Sequence, residues 1–216
     1  MAEVESSDID NDKAVYLPHH AVVKEDRETT KVRVVFNASS KGINNVSLND
    51  DLLTGPKLQQ DLRHILMRWQ RHEICIVSDL VKMYRQVLVN KDHANFQRIL
   101  WRDHPIEPIK HYKLLTLTFG TACAPYLAVK TLQRLAEDEQ ERWPIASQIT
   151  KTDFYIDDLM TGCGTESQAL QIYEEMSQLM TSSGFTLQKW TSNSKKLLQH
   201  IVKDNQSTKE SNSVPI

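Results

Sequence analysis

Three aspartates are the residues of this sequence best suited to carry chemistry. Asp157 and Asp158 are adjacent within a short apolar segment, and Asp79 follows the apolar run 74–77. Aspartate is disfavoured inside strands, and no glycine or asparagine follows the pair to make a tight turn easy. Each feature also has a purely structural interpretation: a polar hairpin turn for the pair, and a helix N-cap or a solvated strand end for Asp79.

Carboxylates that meet at neighbouring strand ends favour divalent cations. Clustered anions repel one another, which raises their pKa values and costs stability unless a hard cation binds between them. Mg²⁺ is the natural occupant of such an oxygen-rich site. Two such ions about 4 Å apart can activate a primer hydroxyl and stabilise leaving pyrophosphate. The three aspartates therefore predict the nucleotidyl transfer that polymerases perform.

The surrounding hydrophobic pattern predicts interspersed strands and helices, which is typical of the α+β class. We expect a hairpin over 21–36 with a charged tip, a helix of about four turns opening at Pro56, and a buried strand at 74–77. Further expected elements are strands at 85–89, 96–101, 112–119 and 185–190, a helix from Pro125, a hairpin around the aspartate pair, and a helix at 166–180 that stops at Gly184.

Composition limits the function classes. The chain has 216 residues with 40% hydrophobic and 25% charged, which is enough for a packed core. Its net charge is −2, but five acids fall within residues 1–12, so residues 13–216 carry +3. Three scattered cysteines and the adjacent His19 and His20 lack the spacing of a zinc site. No stretch resembles a signal peptide or a membrane span, so we expect an intracellular, cytoplasmic protein without a membrane partner.

Nine blocks of sequence resemble the reverse transcriptase domain of the BEL/Pao group of LTR retrotransposons, from about residue 16 to about residue 193. They include Arg33-Val-Val-Phe-Asn-Ala-Ser, Ser47-Leu-Asn-Asp, Asp79-Leu-Val-Lys-Met-Tyr-Arg-Gln-Val, Phe119-Gly-Thr-Ala-Cys-Ala-Pro, Asp153-Phe-Tyr-Ile-Asp-Asp-Leu and Gly184-Phe-Thr-Leu-Gln-Lys-Trp. Their order and spacing fit as well, so chance agreement is far less probable than for one motif.

This resemblance implies a right-hand polymerase fold. It places fingers at 15–72 and a palm at 73–193, with a fingers insertion near 90–118. The palm would be a ferredoxin-like antiparallel sheet backed by helices. Residues 1–14 and 194–216 are acidic or polar without hydrophobic periodicity, so we expect both to be disordered.

The resemblance also implies roles for individual residues. Asp79, Asp157 and Asp158, with the backbone carbonyl of Leu80, would hold two Mg²⁺ ions, for which Mn²⁺ can substitute. Lys189 lies where many polymerases have a lysine proposed to protonate the leaving pyrophosphate.

Five further residues match positions that contact the incoming deoxynucleotide. Lys24 and Arg33 match cations that hold the triphosphate, and Tyr84 matches the aromatic that excludes a ribose 2′-hydroxyl. A core aromatic is the alternative interpretation of Tyr84. Phe119 and Gly120 match the motif beneath the nucleotide, where retroviral enzymes have Gln at the Phe119 position.

The sequence therefore predicts an RNA-directed DNA polymerase that extends a primer on an RNA or DNA template with dNTPs. The alternative is a truncated or co-opted remnant that folds and at most binds nucleic acid weakly. We expect the thumb, RNase H and integrase domains to be encoded elsewhere or lost. Tyr84 and Tyr155 argue against an RNA-directed RNA polymerase.

Overall fold

The computed structural model describes residues 1–23 and 32–211. The strands are β1 (Ala2–Glu3), β2 (His19–Val23), β3 (Val32–Phe36), β4 (Ile74–Leu80), β5 (Arg98–Trp101), β6 (Lys110–Lys113), β7 (Phe154–Tyr155), β8 (Asp158–Cys163) and β9 (Leu187–Ser192). The helices are α1 (Leu48–Asp51), α2 (Leu62–Trp69), α3 (Met83–Gln86), α4 (Ala124–Asp138), α5 (Pro144–Thr152), α6 (Glu166–Ser182) and α7 (Lys195–Ser211). Every strand pair within the sheets is antiparallel, which confirms the predicted α+β class.

The chain divides into two compact units. The first unit consists of residues 1–57 and 84–128, and the second consists of residues 58–83 and 129–216. The first unit is therefore built from two separated segments of the chain. This division places residues 58–72 in the second unit, whereas the sequence analysis grouped them with the first.

The first unit contains two small sheets. Strands β1, β6 and β5 form one sheet, with β6 in the middle, and β2 and β3 form a hairpin in which His19 pairs with Phe36 and Val23 with Val32. Residues 24–31, the predicted charged tip of that hairpin, lie outside the described part of the chain.

The second unit is a four-stranded sheet in the order β7-β8-β4-β9, packed against helices. Alternate residues of β4 are buried, so Ile76, Ser78 and Leu80 form its core-facing row. We expected both faces of β4 to be buried, but the residues that alternate with this row are only half-buried. From α6, Met176 and Leu179 are fully buried, each worth about 1.5–3 kcal/mol of burial free energy.

Residues 1–14 and 194–211 differ from the expected disorder, and residues 212–216 of the same predicted tail lie outside the described part of the chain. At the N-terminus, β1 pairs with β6, and Asp8 forms ion pairs with the buried Arg98 and with Lys113. The composition of residues 1–12 gave no sign of this pairing, because Arg98 and Lys113 lie 90 and 105 residues from Asp8 in the sequence. Long-range charge pairing thus orders a segment that has little local preference for structure.

At the other end, helix α7 begins where a disordered tail was expected. The Ser194 hydroxyl accepts a hydrogen bond from the Leu197 amide at 3.0 Å, as an N-cap does, and donates one to Glu166 at 2.6 Å. Leu197 and Ile201 are buried, and the Tyr173 hydroxyl donates to Asp204 at 2.6 Å. The apolar residues of α7, Leu197, Leu198, Ile201 and Val202, cover little more than one turn, which was too short a pattern to predict this helix.

Several boundaries also differ from the predictions. Helix α2 begins at Leu62 rather than near Pro56, because Asp61 accepts from the Arg63 amide and caps the helix there. The predicted strand 85–89 is wrong, because residues 85–86 belong to the helical turn α3 and Leu88 forms an isolated bridge with Thr116. Strand β6 ends at Lys113 rather than continuing to 119. The helix prediction at 166–180 is confirmed, and Gly184 follows its end with φ +79°. Within the described ranges, no helix has the length and apolar character needed to cross a bilayer.

Candidate active site

The aspartate pair lies on a tight connection at the end of the second unit's sheet. Asp158 is the first residue of β8 and lies opposite Asp79 of β4, and Asp157 precedes it in the turn from β7. The Leu80 amide donates to the Asp157 carbonyl at 2.8 Å, which ties the turn to β4. The backbone register therefore brings together the three aspartates that the sequence analysis selected.

The turn itself is strained. Ile156 has φ +56°, a left-handed conformation that a β-branched side chain rarely adopts. Its amide donates to the Gln59 side-chain oxygen at 3.0 Å, from the segment that precedes α2. Gln59 is a supporting residue that sequence reasoning missed, because no spacing rule links position 59 to position 156.

Electrostatics distinguish Asp158 from an ordinary surface carboxylate. Its pKa is raised above the usual 3.8, first because partial burial disfavours the charged form, and then because Asp157 and Asp79 repel a further negative charge. Lys189 opposes this rise. The Asp158 carboxylate is thus close enough to Asp157 and Asp79 to be repelled by both.

Asp79 is held by two side chains from β9. The Lys189 ammonium lies 3.1 Å from one carboxylate oxygen, and the Gln188 amide donates to the other at 3.2 Å. Lys189 has φ +56° and its side chain is 62% exposed, while that of Asp79 is 30% exposed. The structure therefore places Lys189 against a carboxylate of the cluster, and Gln188 is a second residue that the sequence analysis did not assign there.

The carboxylates of Asp79, Asp157 and Asp158 are chemically suitable ligands for a hard divalent cation, but they are not arranged as a preformed metal site. Carboxylate oxygens that repel one another are the ligands that Mg²⁺ and Mn²⁺ prefer. In the described residues, however, no three acidic, histidine or cysteine side chains converge into a preformed metal cage. Lys189 supplies the positive charge that a cation would otherwise bring to Asp79.

A second group of predicted residues lies in the first unit. The rings of Tyr84 and Phe119 are stacked with centroids 4.6 Å apart, and the Arg33 guanidinium carbon lies 5.2 Å from the Phe119 centroid. Tyr84 is 9% exposed. Three residues selected separately by resemblance thus form one contact group, although Tyr84 also fits its alternative interpretation as a core aromatic.

Gly120 follows this group in a position that tolerates no side chain. Its φ is +99°, and a Cβ added there would lie 2.4 Å from the Phe36 carbonyl oxygen. Only glycine combines that backbone angle with so close an approach. The close approach of the Phe36 carbonyl thus explains the glycine at position 120, and the predicted place of Gly120 beneath a nucleotide stays a prediction.

The remaining candidates are less informative. Lys24 lies outside the described residues. The rings of Trp190 and Tyr173 pack edge-on with centroids 5.1 Å apart. The His19 ring centroid lies 6.0 Å from those of Phe36 and Trp101.

Comparison with known proteins shows the family of this chain. The sequence profile described as "Reverse transcriptase (RNA-dependent DNA polymerase)" matches residues 22–200, which is most of the chain. The chain belongs to the reverse transcriptase family. A comparison with curated protein sequences gave no significant match.

Solved structures of foamy virus enzymes share the reverse transcriptase fold. The chain is 20% identical to a foamy viral protease-reverse transcriptase in complex with double-stranded DNA, with a TM-score of 0.60 over 80% of this chain and 26% of that one. Native prototype foamy virus protease-reverse transcriptase gives 17% identity and a TM-score of 0.59 over 80% of this chain and 20% of that one. This reverse transcriptase chain thus spans about a quarter or less of the length of these matches.

Proposed function

We propose that this chain is the polymerase core of a BEL/Pao-type LTR retrotransposon reverse transcriptase, which adds dNTPs to a primer on an RNA or DNA template. The observation that carries the proposal is the pairing of Asp79 with Asp158 across β4 and β8, with Asp157 beside them. Membership of the reverse transcriptase family gives this acidic cluster a specific chemistry.

Asp79, Asp157 and Asp158, with the Leu80 carbonyl, are the groups that would hold two Mg²⁺ ions, with Mn²⁺ as a substitute. Bound ions of this kind lower the pKa of a hydroxyl nucleophile and stabilise charge on a leaving oxygen. In this arrangement Lys189 neutralises Asp79 and would be free to protonate pyrophosphate once Asp79 engages a cation. Gln188 and Gln59 keep Asp79 and the strained turn at Ile156 in position.

The first unit would receive the nucleotide. Arg33, with Lys24, would bind the triphosphate, because a guanidinium can contact two phosphate oxygens at once. Tyr84 stacked on Phe119 would exclude a ribose 2′-hydroxyl, and Gly120 would let the backbone approach the sugar and base. In this proposal residues 15–72 and the insertion near 90–118 act as fingers, and the sheet of 73–193 as a palm.

Primer extension tests the proposal. Purified protein is given a DNA primer on an RNA template with dNTPs and Mg²⁺, then Mn²⁺, beside the double variant Asp157→Asn, Asp158→Asn. We expect extension by the wild type and none by the double variant, with both shown to be folded by circular dichroism. Extension that persists in the double variant would refute the assigned site.

Sugar selectivity provides a second, independent readout. The Tyr84→Ala variant should use ribonucleotides better relative to deoxynucleotides, whereas Tyr112→Ala, a change of the same type elsewhere in the first unit, should not. If an active Tyr84→Ala preparation keeps the wild-type preference for deoxynucleotides, Tyr84 does not exclude ribonucleotides and acts only as a packing residue.

A non-catalytic remnant is the second candidate function. The Lys189–Asp79 ion pair favours it, since a carboxylate already neutralised by a lysine needs no metal for stability. In that case the folded wild type would not extend a primer with either cation and would bind template-primer only weakly, with a strong dependence on salt.

A further inference from the structure

Asn49 joins three separate parts of the first unit through its side-chain amide. Its Nδ2 donates to the Gly120 carbonyl at 2.9 Å and to the Ser39 hydroxyl at 2.8 Å, and its Oδ1 accepts from the Ala122 amide at 2.8 Å. An amide has two donor hydrogens and one carbonyl oxygen, so both ends of this side chain are used. The contacts to Gly120 and Ala122 imitate the pairing of a neighbouring strand.

The backbone that carries Asn49 is itself fixed. Ser47 precedes the single turn α1, and its amide and hydroxyl both donate to the Asp50 carboxylate, at 2.9 and 2.8 Å. These hydrogen bonds lower the pKa of Asp50. The backbone amide of Asn49 also donates a hydrogen bond to the Ala38 carbonyl at 3.0 Å. Asn49 is therefore an anchored group that can impose a position on its partners.

The partner segment has little freedom on its other side. Gly120 lies against the Phe36 carbonyl so closely that no Cβ fits, and Phe119, the preceding residue, contacts Tyr84 and Arg33. Asn49 and the β3 backbone thus hold Gly120 from two directions. A change at Asn49 would alter the peptide next to the Arg33–Phe119–Tyr84 group without touching that group.

We propose that Asn49 is a positioning residue that sets the backbone of 119–122 and, through it, the affinity of the first unit for a deoxynucleoside triphosphate. The nucleotide part rests on the proposed function, whereas the positioning part does not. The hydrogen bonds of the Asn49 side chain described above join parts of the first unit, so we expect its effect in nucleotide affinity rather than in the chemical step.

Hydrogen exchange tests the positioning directly. Asn49→Asp keeps an acceptor for the Ala122 amide but removes both donor hydrogens and puts a negative charge beside the Gly120 carbonyl. The matched control is Asn44→Asp, because the Asn44 side chain accepts from the Val46 amide at 3.1 Å and an aspartate can do the same. We expect amides of 119–122 to exchange at least about tenfold faster in Asn49→Asp, as loss of hydrogen bonds permits local opening, and at the wild-type rate in Asn44→Asp. Wild-type exchange of 119–122 in Asn49→Asp would overturn the positioning role.

Nucleotide affinity is measured without turnover, by titrating each protein with a fluorescent N-methylanthraniloyl-dATP. We expect Kd to rise about tenfold in Asn49→Asp and to stay within about twofold of wild type in Asn44→Asp. Equal affinity of Asn49→Asp and wild type, or no binding by wild type, would overturn the nucleotide part of the proposal. If wild type binds the nucleotide but does not extend a primer, the proposed polymerase function fails while this inference stands.

Discussion

Two groups of charges, one in each unit, show how differently the same residue type can be used. In the first unit, Asp8 accepts a hydrogen bond from Asn11 and pairs with Lys113 and Arg98, which lowers its pKa to about 2. In the second unit, burial and then the charges of Asp157 and Asp79 raise the pKa of Asp158. A carboxylate surrounded by donors and cations supports the fold, whereas carboxylates that face one another cost stability and are typical of functional sites.

The largest expected effect concerns catalysis. Asp79→Asn should slow single-nucleotide incorporation by at least about a thousandfold, because metal binding contributes several kcal/mol to such reactions. Asp8→Asn should leave the rate within about threefold of wild type at a temperature where both proteins are folded. If the Asp79→Asn protein is active, Asp79 is not a functional residue, and it does not differ in this respect from the structural Asp8.

The next effect concerns thermal stability. Asp8→Asn should lower the unfolding midpoint by about 4 °C, because the fully buried Arg98 side chain loses its charged partner. Calorimetry measures the midpoint, with Asp10→Asn as the control at an exposed position of the same segment. If both variants unfold at the same temperature, the ion pairs of Asp8 do not anchor the N-terminus.

A smaller effect is expected at Lys189. Lys189→Met removes the ammonium that competes with a cation for Asp79, so the affinity for Mn²⁺ should rise about threefold at low ionic strength. Lys195→Met, which removes a charge at the start of α7, is the control. Weaker Mn²⁺ binding by Lys189→Met would mean that the lysine supports the site rather than competing for it.

The smallest expected effect is a difference between Asp158 and Asp8 in how each contributes to stability as the pH changes. Because folding raises the pKa of Asp158, the folded state binds its proton more tightly, and this group lowers stability as pH rises above 3.8. Because folding lowers the pKa of Asp8 to about 2, its contribution is present above 3.8 and is lost as pH falls toward 2.

The change in urea midpoint relative to wild type, measured across this pH range, should therefore have opposite signs in the two variants. Asp158→Asn should match wild type below pH 3.8 and be slightly more stable above it. Asp8→Asn should be less stable than wild type above pH 3.8 and approach it toward pH 2. Parallel curves for both variants and wild type would show that neither carboxyl is perturbed by folding.

Much of the site could be predicted from the sequence because its chemistry lies in local motifs. The adjacent aspartates in an apolar hairpin and Asp79 after an apolar strand were sufficient to predict that register would bring them together. Gln59 and Asn49 could not be predicted as supports, because each binds backbone groups about seventy or more residues away. The order of residues 1–14 and 194–211 was missed for the same reason, since Asp8 and Asp204 find their partners only in the folded chain.

The proposed function requires that Asp79, Asp157 and Asp158 form a divalent-cation site. The most direct test is a Mn²⁺ titration followed by electron paramagnetic resonance, which needs no template, primer or nucleotide. Wild type, Asp8→Asn and the double variant Asp157→Asn, Asp158→Asn are compared. We expect the first two to bind Mn²⁺ equally and the double variant to bind at least about tenfold more weakly. Equal binding by all three proteins would contradict the claim.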